Sequence, residues 1–468
     1  SGVVHPDRPG PNVYLAPREM HRLLNRDRVV VRLTGDDDDG RPTGELVEII
    51  EHANQEIAGR YYEESGIGFV VPNNKRLHQD LIIPGADANG AANGELVTAE
   101  VVSQPSQRRQ PIGRIIEVFG TRIAPGDEVA VAARTHGIPV EWPDEVLAEA
   151  AGFGDEVPES SKAGRKDLRQ LPLVTIDGAD ARDFDDAVYC EPTASGWKLI
   201  VAIADVGAYV TPGSALDTEA AERGNSCYFP RNVVPMLPEN LSNGLCSLNP
   251  GVDRLCMVCE MQIDREGQLK RSRFYEGLMK SAARLTYEDV DAIHNERDPS
   301  LLREHEPLLK HIGDLYAVFD ALRIDRQKRG AIDFNTSESV IEFDHQGQVA
   351  DVHPAERTNA HRLIEECMVK ANVATARFLR RHRIPSLYRV HEPPAEQRLK
   401  NLREFLAQTG LTLGGGDEPT AQDFSALMET VKQRPDRHFI ESIMLRSMMA
   451  AEYRPDNSGH FGLALDAY

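Results

Sequence analysis

Residues 177–186 read Asp-Gly-Ala-Asp-Ala-Arg-Asp-Phe-Asp-Asp and directly follow the apolar run Leu173-Val174-Thr175-Ile176. So many like charges at the end of a buried strand repel one another and lose hydration unless cations neutralise them. Mg²⁺ prefers oxygen ligands, keeps several waters and leaves coordination positions for a substrate phosphate. The stretch therefore predicts an acidic loop at one end of a sheet, holding metal ions for phosphoryl chemistry.

Two other interpretations of this loop are a structural calcium site and a metal-free turn. An EF-hand loop needs regularly spaced ligands, a central Gly and a late Glu, none of which is laid out here. A solvated charge run does not usually begin and end in core-like sequence, whereas this loop contains Phe184 and continues into Ala187-Val188-Tyr189. By contrast, Asp36-Asp37-Asp38-Asp39, flanked by Gly35 and Gly40, predicts a solvated hairpin tip.

The composition predicts a globular protein of several domains. A chain of 468 residues with 41% hydrophobic content is too long for one core and suggests roughly two to four domains. No apolar run approaches the roughly 20 residues of a membrane-spanning helix. The start, Ser1-Gly2, lacks a secretory pattern and indicates an engineered or processing boundary. We therefore predict a cytoplasmic protein without a membrane partner.

The charge and the cysteines exclude little and suggest no zinc site. A formal net charge of −21 is unfavourable for RNA binding, but binding depends on where the positive groups lie rather than on their sum. Cys256 and Cys259 have zinc-knuckle spacing within the strand-like run Arg254–Met261. Alternation along a strand would point the two thiols to opposite faces. We therefore predict buried thiols rather than a zinc site.

The first third of the chain reads as short β-runs with an internal repeat. Asn25–Val31 is echoed by Asn93–Ala99, and Gly44–Ile50 by Gly113–Phe119, which suggests two copies of a small barrel. Between the echoes, Gly59–Tyr62 and Gly66–Pro72 are similar to the surface strands of a cold-shock domain, an OB-type fold. Phe69 there either packs in the core or stacks on bases, with Lys75 and Arg76 near phosphates.

The rest of the chain mixes strands and helices, which predicts an α+β domain. Trp197–Val210 is a strongly apolar candidate for a strand pair, and Asp264–Gly267 predicts a hairpin. Thr286-Tyr287-Glu288-Asp289 resembles a capping-box helix start. Long helical patterns occupy Leu308–Arg329, Arg357–Arg381, Ala395–Thr409 and Phe439–Tyr453.

Ordered motifs along nearly the whole chain resemble the ribonuclease II/ribonuclease R superfamily. The acidic loop carries the first of them, Thr175–Gly178 followed by Asp180–Val188. The details favour the ribonuclease R branch over ribonuclease II. The other matching motifs are Val201–Val206, Arg223–Pro230, Met236–Pro238, Leu241–Leu248, Leu363–Met368 and Gly459–Leu465.

The resemblance implies a domain order. The expected fold class is multidomain, with N-terminal all-β barrels of the OB/cold-shock type followed by an α+β catalytic domain of the RNB type. We expect residues 1–56 to form the C-terminal part of a first barrel and residues 57–123 a second barrel. Residues 124–170 are then a connecting segment, and residues 171–468 an RNB domain that lacks its C-terminal part.

The resemblance also implies a processive, hydrolytic 3′-to-5′ exoribonuclease that releases nucleoside 5′-monophosphates with Mg²⁺, or with Mn²⁺ as a substitute. Asp177, Asp183, Asp185 and Asp186 match the family's acidic motif position by position and are assigned to metal binding and water positioning. Asp183 and Asp185 are the catalytic pair, and Asp185 is expected to matter most. Asp180 instead fits a cap for the loop backbone.

Three further residues match the family's substrate contacts. Tyr228 and Phe334 match an aromatic clamp on bases, and Glu366 matches a carboxylate at the terminal ribose, where a 2′-OH contact separates RNA from DNA. Core packing is the alternative for both aromatics. For Glu366 the alternative is a solvated helix residue paired with Lys370 at i+4. The implied partners are single-stranded RNA 3′ ends, structured RNA with a 3′ overhang, and the RNA-decay machinery or the ribosome.

The chain departs from the family at its C-terminal end. It stops at Tyr468, before the family's basic segment, whose arginine is expected to stabilise transition-state charge. We therefore expect the parent protein to be active and this chain alone to be weakly active or inactive. Two other functions are considered. One is a non-catalytic RNA-binding relative, and the other is a DNA exonuclease of the proofreading kind, whose carboxylates are scattered over separate motifs.

Overall fold

The computed structural model describes residues 2–7, 10–37, 40–121, 127–334 and 339–468. Asp38 and Asp39 of the predicted hairpin tip lie outside the described residues. The chain divides into two compact units. The first comprises Ser1–Pro143, Arg223–Val234 and Ile341–Asp351, and the second comprises Asp144–Glu222, Pro235–Val340 and Val352–Tyr468.

The first unit begins with a four-stranded sheet. Its elements are β1 (Gly2–Val4), β2 (Val13–Leu15), α1 (Pro17–Met20), β3 (Arg28–Asp36) and β4 (Pro42–Glu51). The strand order is β1-β2-β4-β3, and β3 and β4 are antiparallel. Leu15, Leu23 and Leu46 form its small buried core.

A closed five-stranded barrel follows in the same unit. Its strands are β5 (Glu56–Glu64), β6 (Ile67–Pro72), β7 (Leu81–Ile83), β8 (Leu96–Ser103) and β9 (Ile112–Gly120). They close in the order β5-β6-β7-β9-β8. Gly68 is needed at a close approach, because a Cβ there would lie 2.7 Å from the Tyr61 hydroxyl. Phe69 is half-buried, and its ring centroid lies 6.0 Å from that of Tyr62.

The predicted repeat is confirmed by strand pairing. Val31 faces Leu46 across β3 and β4, and the echoing residues Ala99 and Ile115 face each other across β8 and β9. The same hairpin is therefore built twice. The predicted fold class, β-barrels of the OB type followed by an α+β domain, matches this architecture.

The remaining elements run from the barrel to the end of the chain. In chain order they are α2 (Asp127–His136), α3 (Asp144–Ala151), α4 (Glu159–Lys162), β10 (Lys166–Asp167), β11 (Val174–Asp177), β12 (Asp186–Thr193), β13 (Gly196–Ala204), α5 (Ala215–Arg223), β14 (Cys227–Phe229), β15 (Asn232–Val234), β16 (Asp253–Asp264), β17 (Leu269–Lys280), β18 (Ala283–Thr286), α6 (Tyr287–Asp291), α7 (Pro299–Glu304), α8 (Leu309–Arg329), β19 (Ser339–Phe343), β20 (Val349–Pro354), α9 (Asn359–His382), β21 (Tyr388–Val390), α10 (Glu396–Gln408), α11 (Ala421–Val431), α12 (Arg437–Ser447) and β22 (Glu452–Arg454).

The second unit is built on a seven-stranded sheet in the order β10-β17-β16-β13-β12-β11-β18. Both faces of its central strands are buried, which explains their continuous apolar sequence. Along β12, Val188 packs in a core with residues of α8 and α9, and its neighbour Tyr189 packs in a separate core on the other face. A third core joins α10, α11 and α12 around Leu402, Phe424 and Ile440.

The structure corrects two of the predicted elements. Trp197–Val210 is not a strand pair, because β13 ends at Ala204 and a 3₁₀ turn follows. The apolar run is long because β13 pairs on both sides, with β12 and with β16. The predicted helix Phe439–Tyr453 ends early, because α12 stops at Ser447 and β22 instead pairs with β21.

The cysteine prediction is confirmed. Cys256 and Cys259 are buried in two different cores on opposite faces of the sheet. Burial raises the pKa of each thiol to about 12, which keeps them protonated. Within the described ranges no helix is long and apolar enough to cross a bilayer.

Acidification is expected to destabilise the fold through His460. Burial, with the nearby His391 ring, lowers the pKa of His460 to about 4, and its Nδ1 accepts a bond from the Leu463 N–H (3.2 Å). Because the folded state binds this proton less well than an unfolded His of pKa about 6.5, the contribution to stability is complete above that pH and is lost toward pH 4. Denaturant unfolding of His460→Gln between pH 7 and 5 should show a shallower fall than the wild type. Exposed His438→Gln is the control, and equal slopes for the two variants would refute the assignment.

Candidate active site

The acidic loop connects two neighbouring strands of the sheet. Asp177 is the last residue of β11 and Asp186 is the first of β12, and the two strands are antiparallel, with Val174 facing Val188. The chain therefore leaves and re-enters the sheet at the same end of the two strands. The acidic loop lies at that end, as the sequence predicted.

Buried contacts hold the loop in shape. Phe184 is only 3% exposed and packs in the core of the sheet face that also buries Tyr189. The Ser247 hydroxyl accepts a bond from the Phe184 N–H and donates to the Arg182 carbonyl, both at 2.9 Å. Arg284 donates to the carbonyls of residues 179 and 181. The carboxylates are therefore presented by a fixed backbone.

Like charges and burial disfavour ionisation of the loop carboxylates. The pKa of Asp186 is raised to about 7 by burial and by Asp177 and Asp185. The pKa of Asp177 is raised by burial and by Asp183. Surrounding protein atoms partly dehydrate Asp185, and this loss of hydration together with the charges of Asp183 and Asp177 raises its pKa. Its side chain nevertheless keeps access to solvent. A cation between these groups would relieve all three penalties.

The residues fit a hard divalent cation. Asp186 Oδ2 is buried and has no hydrogen-bond partner, so an acceptor near the charges of Asp177 and Asp185 is left unsatisfied. Across the residues that the structure describes, no three His, Cys, Asp or Glu side chains are already gathered closely enough to enclose a metal ion. Carboxylate oxygens are nevertheless the ligands that hard divalent cations prefer, so the donor chemistry of the loop fits such a cation.

Asp180 does not have the position expected for a backbone cap. The N–H of Gly178 donates to Asp177 Oδ1 (2.7 Å), so Asp177 itself caps the turn. Asp180 is exposed at the tip of the loop.

Tyr287 and His361 are candidates that the sequence did not reveal. Tyr287 lies near Asp177, because burial and the charge of that carboxylate both raise the pKa of the Tyr287 hydroxyl, and its ring stacks on His361 with the centroids 3.8 Å apart. The predicted capping box at Thr286 is present and starts α6. The sequence could not predict the parallel pairing of β18 with β11, which places Thr286 opposite Asp177. The capping box was the only local signal near Tyr287.

Glu366 lies on α9 in a buried position, with 2% of its surface exposed. Its Oε1 accepts a bond from Arg326 (2.5 Å), and its Oε2 is buried without a partner. The alternative of a solvated pair with Lys370 is therefore wrong, since Lys370 Nζ instead donates to Asp325 (2.5 Å). Burial raises the pKa of Glu366, and Arg326 opposes that shift.

The two predicted clamp aromatics lie in different units. Phe334 follows the C-terminal end of α8 and is half-buried against the core of α10, α11 and α12. Tyr228 belongs to the first unit, where it lies in the hairpin of β14 and β15 and is 65% exposed. The second unit therefore brings together the four aspartates, and separately Glu366 and the segment of Phe334. The clamp itself stays a prediction.

Three family models match successive parts of the chain. The Ribonuclease B OB domain matches residues 2–49, the Cold shock domain matches residues 69–143, and the RNB domain matches residues 165–468. The acidic loop lies within the RNB match.

Curated relatives are ribonuclease R proteins. That of Vibrio cholerae serotype O1 is 49% identical over 458 residues, which are 98% of this chain and 56% of the relative. That of Acidithiobacillus ferrooxidans is 47% identical over 335 residues, which are 71% of this chain and 76% of the relative. The chain thus spans little more than half the length of the first of these relatives.

Solved structures share the fold. RNase R of Mycoplasma genitalium, in complex with ribose methylated single-stranded RNA, superposes with a TM-score of 0.85 at 26% identity, covering 98% of this chain and 72% of that one. A yeast pseudonuclease superposes with a TM-score of 0.72 at 16% identity, covering 100% of this chain and 64% of that one, a likeness of fold alone.

An OB-type barrel, a seven-stranded α+β domain and a carboxylate loop between two of its strands define an RNB-domain protein. Within that class the chain belongs to the ribonuclease R family. The family predicted from the sequence motifs is therefore confirmed.

Proposed function

We propose that the protein containing this chain is a hydrolytic, processive 3′-to-5′ exoribonuclease that degrades RNA to nucleoside 5′-monophosphates with Mg²⁺, or with Mn²⁺ in its place. The observation that carries the proposal is the acidic loop. Burial and neighbouring carboxylates of the loop raise the pKa of Asp177, Asp185 and Asp186, and Asp186 Oδ2 has no hydrogen-bond partner. Cations bound in the loop would neutralise these charges, which supports the proposal.

The reaction adds a water oxygen to phosphorus and breaks the bond from phosphorus to the 3′ oxygen of the preceding nucleotide. Divalent cations held by the loop carboxylates would supply water activation and charge neutralisation for such a displacement. Asp177 accepts a bond from the Gly178 N–H, which would orient it for this task, and Tyr287 lies near it. Asp183 and Asp185 lie on the fixed part of the loop, and Asp185 has the solvent access that an incoming phosphate requires.

The last nucleotides must be held without reading their sequence. Stacking achieves this because every base has a π-face, and each stack contributes roughly 1–3 kcal/mol. We assign stacking to Tyr228 and Phe334, and the ribose contact to Glu366. Since Arg326 occupies Glu366 Oε1, the partnerless Oε2 is the oxygen left to accept a bond from a 2′-OH. Such a contact favours RNA over DNA.

The proposed substrates are single-stranded RNA 3′ ends and structured RNA with a 3′ overhang. Mycoplasma genitalium RNase R has been solved in complexes with single-stranded and with double-stranded RNA, which supports this choice. Association with the RNA-decay machinery or the ribosome and a cytoplasmic location stay predictions. We also propose domain boundaries near residues 56, 123 and 170.

The experiment is digestion of a 5′-labelled single-stranded RNA and of the matching DNA by the full-length protein with Mg²⁺. We expect a ladder that shortens from the 3′ end of the RNA, release of nucleoside 5′-monophosphates, and little digestion of DNA. Binding without cleavage would favour a non-catalytic RNA-binding relative. Equal turnover of RNA and DNA would favour a DNA exonuclease and would remove the role of Glu366.

Tyr228→Ala is expected to lengthen the final RNA fragment without changing the type of reaction. Loss of one stack, worth roughly 1–3 kcal/mol, lets a short fragment dissociate before its last nucleotides are removed. Tyr228 is 65% exposed, so its replacement should leave stability nearly unchanged. The lengths of the end products on a denaturing gel report the effect, with Tyr228→Phe as the control. An unchanged end product would count against the clamp.

A further inference from the structure

Arg326 lies between the two substrate-contacting parts of the second unit. Its Nη1 donates to Glu366 Oε1 at 2.5 Å and to Glu365 Oε1 at 3.3 Å. Its Nη2 donates to the Ile332 carbonyl at 3.5 Å and lies 3.7 Å from Asp333 Oδ1. One guanidinium therefore contacts both Glu366, the carboxylate proposed to bind the ribose, and the segment that immediately precedes Phe334.

The surroundings make this contact selective for arginine. The side chain of Arg326 is 13% exposed and that of Glu366 is 2% exposed, so neither charge is well hydrated. A guanidinium presents several donors in a planar fork, whereas a lysine ammonium is a compact point charge. Only the fork can satisfy Glu366 with one nitrogen and the Ile332 carbonyl with the other.

The segment held by Arg326 is short and has a second anchor. Gly330 ends α8 in the left-handed region, with φ of 75°, and the Ile332 N–H donates to the Gly462 carbonyl at 2.8 Å. Ile332 is buried, whereas Phe334 is half-buried. Because Phe334 comes two residues after Ile332, a shift of the Ile332 peptide moves the aromatic ring with it.

We infer that Arg326 is a positioning residue that couples the ribose-contacting carboxylate of Glu366 to the base-stacking segment of Phe334. This inference rests on the proposed function. It adds that sugar discrimination and end-product length depend on the same guanidinium. Orientation of Glu366 Oε2 toward the ribose and placement of the Phe334 ring should then fail together when the fork is lost.

The test compares Arg326→Lys with the wild type in the full-length protein. Lysine keeps the positive charge beside Glu366 but cannot bridge to the Ile332 carbonyl. We expect the ratio of RNA to DNA turnover to fall by about tenfold or more, and the final fragment to lengthen by as much as we expect for Phe334→Ala. The change should appear mainly in KM for short RNA, because stacking and the ribose contact hold the substrate.

Arg323→Lys is the matched control. Arg323 is exposed, lies one turn earlier on α8 and is placed over the Phe319 ring at 5.8 Å. It should keep the wild-type ratio and ladder. If Arg323→Lys produced the same changes as Arg326→Lys, the effect would follow from replacing any arginine on this part of α8, and the inference would be overturned.

A double variant separates loss of the coupling from loss of stability. Arg326→Gln leaves Glu366 buried and unpaired, which is strongly destabilising, whereas Arg326→Gln with Glu366→Gln removes both charges. The double variant should unfold near the wild-type temperature and still give the lengthened final fragment. A wild-type fragment length in this folded variant would overturn the coupling. Failure of the wild type to digest RNA would instead overturn the proposed function.

Discussion

Asp185→Asn should abolish RNA hydrolysis while leaving RNA binding close to that of the wild type. The substitution keeps the size of the side chain but removes the charge that faces solvent at the edge of the acidic loop. We expect kcat to fall by at least about a thousandfold, equivalent to roughly 4 kcal/mol of transition-state stabilisation. Single-turnover digestion of labelled RNA measures the chemical step, and filter binding measures affinity.

The matched control for this prediction is Asp180→Asn. Asp180 is exposed in the same loop and carries the same charge, but it lies at the tip rather than beside Asp177 and Asp186. It should retain cleavage within a few-fold. A parallel loss of RNA binding in Asp185→Asn would contradict a chemical role and would indicate that Asp185 supports the structure of the loop.

Removal of divalent cations should stop hydrolysis, and their addition should stabilise the fold. A ligand that binds only the folded state adds about 2.7 kcal/mol to the free energy of unfolding at one hundred times its Kd. In the acidic loop, replacement of a carboxylate is expected to stabilise the metal-free protein rather than destabilise it. Asp186→Asn should raise the stability of the metal-free protein, because it removes a buried charge next to Asp177 and Asp185, and it should lose the stabilisation by Mg²⁺.

Thermal unfolding with chelator, Mg²⁺ or Mn²⁺ measures both effects of Asp186→Asn. Asp180→Asn should respond to Mg²⁺ as the wild type does. If Asp186→Asn kept the full Mg²⁺ response, the cations would bind elsewhere. Anomalous scattering from Mn²⁺-soaked crystals of the RNA-bound full-length protein would then locate them, and an empty acidic loop would overturn the metal assignment.

Much of the fold could be predicted from the sequence because the patterns that indicate strands and helices lie within short segments. Alternating and continuous apolar runs gave the strands, and helical spacing gave α8, α9 and α10 to within about two residues. Two errors share one cause, which is pairing with distant strands. The apolar run Trp197–Val210 was predicted to be a strand pair, but it contains the single strand β13, which pairs with β12 and β16. The predicted helix Phe439–Tyr453 ends early because its last residues belong to β22, which pairs with β21.

The sequence by itself determined the chemistry of the candidate site. Five carboxylates with Phe184 among them, between two apolar strands, predict a loop held by the core whose charges a cation would neutralise. Only the tertiary structure decided which neutral and basic side chains lie next to that loop and next to Glu366. Tyr287 meets Asp177 through a parallel strand pair, and Arg326 meets Glu366 across two helices. No local pattern encodes such contacts, because they depend on how distant elements pack.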